Sequence, residues 1–222
     1  MIELLNMDCM DYMKGLKDNA FDLAIVDPPY FVDYAKEIYP GASISTTGIK
    51  RNRFHSKHWV VPDEYYFKEL YRVSKNQIIW GINYYEKYAN SVGRVVWDKV
   101  NDASSFSKAE IASCSFGISV QIFRFMWNGM LQGDMKNKEK RIHPTQKPIA
   151  LYKWLLKHYA KPGDKILDTH GGSMSSAIAC HEMGFDLTLC EIDKDYYEAG
   201  FKRVAEAMKQ QVLFNYEPEE VR

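Results

Sequence analysis

The stretch FDLAIVDPPY, residues 21–30, constrains the fold more than any other. Phe21 to Val26 is apolar at nearly every position. A strand with one wet face alternates apolar and polar side chains. An almost unbroken apolar run marks a strand covered on both faces, as in a parallel sheet packed between helices. Pro28 and Pro29 then stop it, because neither has an N–H for a ladder or a helix. Asp27 and Tyr30 are left at the stop.

The rest of the chain supplies the expected partners in alternation. IELLN reads as a strand and CMDYMKGL (9–16) as a short helix. PDEYYFKELYRVS (62–74) reads as an amphipathic helix with Pro62 at its start. NQIIWGI (76–82) and GRVVWDK (93–99) are strands, and ASCSFGISVQIFRFMW (112–127) reads as an antiparallel hairpin. PIALYKWLLKHYA (148–160) is a helix opened by Pro148. KILD (165–168) is a strand, followed by a glycine turn and the helix MSSAIACHEMG with Gly184 as its C-cap. FDLTLCEID (185–193) is a strand and DYYEAGFKRVAEAMKQQ (195–211) the last helix. Alternation of this kind predicts a single α/β domain over 1–222 with a mainly parallel sheet, whose ligands bind beyond the C-terminal strand ends. Residues 31–60 and 128–142 read as functional loops.

Composition excludes several alternatives. No apolar run approaches the roughly 20 residues of a bilayer span, and the N-terminus lacks the pattern of a signal peptide. A cytoplasmic protein with no membrane partner is expected. Cys9, Cys114, Cys180 and Cys190 form no C-x-x-C pair, so no metal or disulfide framework is predicted. The 29 basic and 29 acidic residues cancel, which argues against coating nucleic acid by bulk charge. Two local clusters remain, KRNRFHSKH (50–58) and KNKEKR (136–141), either of which is also compatible with a solvated loop.

Three predicted strand ends carry carboxylates: Asp27, Asp168 and Glu191; Asp8 follows the first strand. Gly171 and Gly172 permit a tight turn, and Ser173 can cap the following helix. A carboxylate about twenty residues on, Glu191, can accept both hydroxyls of a ribose. This pattern suits a nucleoside cofactor, although a plain strand–turn–helix reads the same way. G-x-G-x-x-G is absent, which disfavours a dinucleotide. In DPPY, Asp27 and the Pro28 carbonyl can accept the two hydrogens of an amine, and Tyr30 can stack on a planar base. Both acceptors together would free the amine lone pair for attack on an adjacent sulfonium methyl. A simple turn is the competing interpretation.

Taken in order, DPPY (27–30), HPTQKP (143–148), ILDTHGGS (166–173) and CEID (190–193) resemble the beta-class DNA amino-methyltransferases of the adenine-specific DPPY type. VVWDK (95–99), AEIA (109–112) and NMDCMDYMKGL (6–16) extend the likeness to nearly the whole chain. The resemblance implies a Rossmann-like class I methyltransferase fold with a seven-stranded, mainly parallel sheet containing an antiparallel hairpin. Its motif order would be circularly permuted, catalytic half first, with the strand at 166–168 beside the strand at 21–26. The implied reaction moves a methyl from S-adenosylmethionine to the 6-amino group of adenine in double-stranded DNA, with base flipping.

By the same resemblance, Asp27, Pro28 and Tyr30 hold the amine and base, and Pro29 fixes the turn. Asp168, His170 and the Gly171–Ser173 turn contact the methionine part of the cofactor; Glu191 binds its ribose, and Asp8 with Cys9 its adenine. His143, Thr145 and Lys147 close the site near the cofactor carboxylate. Lys50, Arg51, Asn52, Arg53, Lys57, Lys140 and Arg141 become candidates for DNA contact. The small area left for recognition implies a short target sequence, which a homodimer could read, and a cognate restriction enzyme is a conceivable partner. Thr169, His170 and Met174 depart from the family's proline, aromatic and glycine, so the turn bears on cofactor affinity. Three alternatives stay open: cytosine 4-amino methylation, binding of cofactor or DNA without turnover, and methylation of RNA or a small molecule.

Overall fold

The computed structural model describes residues 1–30, 54, 59–102, 107–128 and 131–214. Its strands are β1 (Ile2–Leu5), β2 (Phe21–Val26), β3 (Ser74–Trp80), β4 (Gly93–Asp98), β5 (Ala109–Cys114), β6 (Val120–Arg124), β7 (Trp127–Asn128), β8 (Leu131–Gln132), β9 (Lys165–Asp168) and β10 (Asp186–Cys190). Its helices are α1 (Cys9–Lys14), α2 (Glu64–Val73), α3 (Ile149–Tyr159), α4 (Ser175–Met183) and α5 (Lys194–Phe214). None is long and apolar enough, among the described residues, to cross a membrane.

The main sheet runs β1–β10–β9–β2–β3–β5–β4–β6, and β7 pairs with β8 separately. It has eight strands where seven are expected. β9 lies beside β2, with Leu23 opposite Ile166 and Ala24 opposite Leu167, as the sequence leads one to expect. Within this sheet every pairing is parallel except the two made by β5, with β3 and with β4. The antiparallel hairpin is therefore β4–β5, and not the expected pairing within 112–127. β4 separates β5 from β6, pairing antiparallel with one and parallel with the other. Burial explains the order: Ala112, Ser113 and Cys114 of β5 are buried, as an interior strand requires, whereas β6 buries only Phe123 and suits an edge.

β2 shows why its sequence is apolar throughout. Leu23 and Ile25 join one core with Ile78, Trp80, Leu151 and Leu155, under α3 and α4. Ala24 and Val26 face the opposite core with Met13, Phe67 and Leu70, under α1 and α2. Each fully buried aliphatic side chain of this kind contributes about 1.5–3 kcal/mol. α2 is capped by Asp63, whose carboxylate accepts from the Tyr65 and Tyr66 amides at 2.9 and 3.3 Å. Pro62 thus precedes the cap rather than opening the helix, and Pro148 likewise occupies the cap position of α3.

Candidate active site

β2, β9 and β10 end at one edge of the sheet, and a cavity of about 460 Å³ opens there. Asp27, Pro28, Pro29 and Tyr30 line it from the end of β2. Asp8 and Cys9 line it from the start of α1, Gly171 to Ser173 and His170 from the turn after β9, and Glu191 from the end of β10. His143, Thr145 and Lys147 complete the wall before α3. Of the predicted catalytic and cofactor residues, only Asp168 stays behind the wall. It is 2% exposed. Its carboxylate accepts from the Ser176 hydroxyl at 2.5 Å and the His170 amide at 3.1 Å, and burial pushes it up to about 6. Asp168 therefore organises the turn from beneath.

The turn itself is built around absent side chains. A Cβ on Gly171 would lie 2.2 Å from the Leu189 side chain. Gly172 adopts φ +50° close under the His143 ring, and its amide donates to Glu191 at 2.7 Å. The other Glu191 oxygen accepts from the Asp193 amide at 2.8 Å. Burial pushes Glu191 up to about 7, against the pull of those two amides. Met174 takes the left-handed conformation (φ 57°) at the start of α4, which costs a non-glycine residue about 1–2 kcal/mol. Its side chain is fully buried against Gly200 of α5, whose added Cβ would meet it at 2.7 Å. Burial of that side chain offsets the strain, and it does not line the cavity. Ser173 does not cap α4; its hydroxyl pairs with that of Ser175 at 3.1 Å.

Several of these residues are also structurally engaged. Asp8 caps α1 through the Met10 amide at 2.7 Å. His170 bonds the Thr169 hydroxyl at 2.9 Å and packs edge-on against Tyr66. Burial lowers it to about 4, so it is a neutral aromatic at pH 7. His143 lies 4.4 Å from the Tyr196 ring and 5.6 Å from Trp59.

On the catalytic side, the Tyr30 hydroxyl donates to one Asp27 oxygen and the Lys147 ammonium to the other. One face of Tyr30 stacks on Tyr84 at 4.9 Å, and the Tyr85 hydroxyl donates to the Pro29 carbonyl. β2 ends at Val26, so Pro28 lies past the ladder. Gly81 (φ +71°) sits against the Tyr30 edge, where an added Cβ would come within 1.9 Å of the ring. Gly81→Ala is therefore expected to displace Tyr30 as well as strain the backbone, by about 1–2 kcal/mol. A lower melting temperature together with a turnover loss of at least tenfold would report it; full turnover would show that Tyr30 need not be held there.

Lys147 also makes contacts that the sequence did not lead one to expect. Its ammonium, 2% exposed, pairs with Asp27 and, at 2.9 Å, with Glu110. Glu110 pairs in turn with Lys99 at 2.5 Å. Despite burial, the ammonium groups of Lys147 and Lys99 hold Glu110 down at about 2. Burial pushes Asp27 up, with Lys147 opposing. Glu110, Lys99, Tyr84 and Tyr85 were not singled out from sequence. In β5, Glu110 is turned inward while the apolar Ile111 is exposed, the reverse of what their types suggest.

Lys50, Arg51, Asn52, Arg53 and Lys57 lie outside the described residues. Lys140 is exposed. Arg141 is not a free surface cation, since its guanidinium packs 4.8 Å over the Trp127 ring. Residues 131–142 are likewise tied down. Glu139 turns inward to Arg203 at 2.5 Å and caps the first amide of α3 at 2.9 Å.

The mostly parallel sheet is that of the class I methyltransferase fold, and two solved structures share this fold, each with a TM-score of 0.58. The M1.HpyAVI complex with S-adenosylmethionine is 18% identical, the match covering 91% of this chain and all of that one. The PvuII cytosine-N4-specific DNA methyltransferase is 10% identical, covering 94% and 92%.

Residues 119–202 match the family model described as DNA methylase, N6_N4_Mtase. Over nearly the full chain, YubD of Escherichia coli (strain K12), an inferred methylase, is 23% identical, covering 92% of this chain and 91% of its own. The type II methyltransferase M.HinfI of Haemophilus influenzae is 22% identical, covering 91% and 68%. Both relatives are named as methylases or methyltransferases, and each is under 25% identical to this chain.

Proposed function

We propose that this protein methylates the 6-amino group of adenine in double-stranded DNA, using S-adenosylmethionine. The observation that carries this reading is the shared cavity: the Asp27–Tyr30 segment and the Gly172–Glu191 pair face the same space from neighbouring strand ends. The donor set fits the cofactor. Glu191 retains lone pairs for ribose hydroxyls, and Gly171 and Gly172 present backbone to the cavity where the methionine part would lie. When bound, S-adenosylmethionine supplies an electrophilic methyl: the N–C bond forms as the C–S bond breaks, and sulfur keeps the electron pair.

The protein's own part is positional and electrostatic. Each Asp27 oxygen has a further lone pair beyond its bonds to Tyr30 and Lys147, and the Pro28 carbonyl lies past the ladder. These can hold both amine hydrogens and leave the nitrogen lone pair aimed away from the ring system. Tyr30 lines the cavity and can stack on the base, which offsets the few kcal/mol of flipping. After transfer, the nitrogen carries positive charge and gives one proton to Asp27.

Cytosine 4-amino methylation is the second reading, favoured by the likeness to the PvuII enzyme. The acidic head of DPPY favours adenine. Incubation of duplex DNA with labelled cofactor, then nucleoside analysis, tests both. Label in N6-methyladenine supports the proposal, label in N4-methylcytosine replaces it, and no label rejects it. Relatives named as type II methyltransferases make a restriction enzyme of the same target sequence the natural partner to seek.

Glu191 also predicts a pH dependence. Its pKa lies near 7, above the usual carboxylate range, so the ionised form is lost as pH falls through 7. Only that form accepts both ribose hydroxyls. Cofactor affinity is expected to weaken roughly tenfold from pH 8 to pH 6, measured by isothermal titration. A flat profile would remove Glu191 from ribose binding.

A further inference from the structure

The geometry points to a positioning chain, Lys99–Glu110–Lys147, that orients Asp27 and leaves it as the carboxylate that takes the proton from the methylated amine. This rests on the amine-methylation reading above.

Four charged groups alternate in sign from β4 to β2. Lys99 follows β4, Glu110 lies on β5, Lys147 precedes α3, and Asp27 follows β2. Their side chains are 15%, 23%, 2% and 14% exposed. Two cations balance two carboxylates, so the chain is neutral, as buried charge must be. Position within it separates the carboxylates. Glu110 is internal and touches two ammonium groups. Asp27 is terminal and, among the described residues, pairs with one. Protonating Glu110 would break two ion pairs, whereas protonating Asp27 weakens one. A proton arriving at the cavity edge therefore settles on Asp27.

The other groups around Asp27 do not change this order. They are the hydroxyls of Tyr30, Tyr85 and Tyr152 and the carboxyl of Asp168, none of them a cation. The direction of the shifts agrees: Glu110 is held low while burial pushes Asp27 up. In the step itself, one N–H bond of the methylated, positively charged amine breaks and an O–H bond forms on Asp27. Lys147 stays an ammonium throughout and lies 5.5 Å over the Trp80 ring, which fixes its direction. The proton passes to water after the product leaves. Lys147, Glu110 and Lys99 are positioning residues in this scheme.

The test is kcat against pH, from 5 to 9, on unmethylated duplex DNA, with the cofactor Kd measured alongside. Lys147→Met is expected to lower kcat at least 100-fold and to raise the acidic limb by about one pH unit or more. Lys99→Met, at the far end, should raise the limb by less, because Glu110 then draws on Lys147 alone. Glu110→Gln should lower it, because Asp27 then has Lys147 to itself. Cofactor Kd should stay within threefold in all three. Loss of cofactor binding in step with turnover in Lys147→Met would return that lysine to the cofactor and overturn the chain. So would a limb unmoved by Lys99→Met and Glu110→Gln, whose opposite shifts decide the matter even if Lys147→Met does not fold. A wild-type protein that transfers no methyl to DNA overturns the functional reading itself, and the chain with it; an active wild type with unmoved limbs overturns the chain alone.

Discussion

Replacing Asp27 with alanine is expected to slow methyl transfer about 10³-fold or more while leaving cofactor binding near wild type. Two losses combine. The amine loses an acceptor for one hydrogen, and its proton loses the base that receives it; general-base catalysis alone is typically worth 10²–10⁴-fold. The substitution also strips Lys147 of one of its two carboxylates, so part of the effect is a poorly compensated buried ammonium. Asp27→Asn separates these contributions, because it keeps an acceptor and the shape but takes no proton. Single-turnover transfer to duplex DNA, beside calorimetric titration of the cofactor, is the measurement. Turnover within tenfold of wild type in Asp27→Ala would remove this residue from the chemistry.

Glu191→Ala should act on the other half of the cavity. Its carboxylate is the acceptor for the Gly172 and Asp193 amides and the proposed acceptor for the ribose. Losing two charge-assisted bonds to a ligand costs about 3–4 kcal/mol, so cofactor Kd should rise by two to three orders of magnitude. Loosening of the turn adds to this, because Gly172 would lose the bond that fixes its left-handed conformation. Transfer at saturating cofactor should fall far less than in Asp27→Ala. Glu191→Gln retains one acceptor and should lie between. An unchanged Kd in Glu191→Ala would place the ribose elsewhere.

How far the sequence could be read depended on whether a feature was local. The β2 stop was legible because an apolar run followed by two prolines has few other meanings. The glycine turn and the acidic end of β10 were legible for the same reason, and they do share a cavity with Asp27. The β5–β6 pairing was misjudged because Gly117, at φ +80°, gives the local signature of a reversing turn. Which strand then fills the neighbouring place depends on β4, from earlier in the chain, and proximity in sequence carries no information about that.

The ion pairs of Lys147 were missed for a related reason. Lys147 lines the cavity with its neighbours in HPTQKP, but only the fold shows that its ammonium lies against β2 and β5. Glu110 was hidden because a lone acidic residue in a strand usually faces water. The place of Met174 also depends on the fold: its side chain packs against Gly200 and does not line the cavity.

The reversed direction of β5 has a consequence for how the site can change. In the parallel strands only the last residues reach the functional edge. In β5 the first ones do, and Glu110 stands opposite Trp97 near the end of β4. β4 therefore ends, and β5 begins, at the same edge of the sheet as the end of β2. Added length there would disturb no strand register, and doubling a loop costs only about 0.6 kcal/mol in closure entropy. Evolution or design could extend that edge at this point, toward a larger substrate surface, without rebuilding the sheet beneath it.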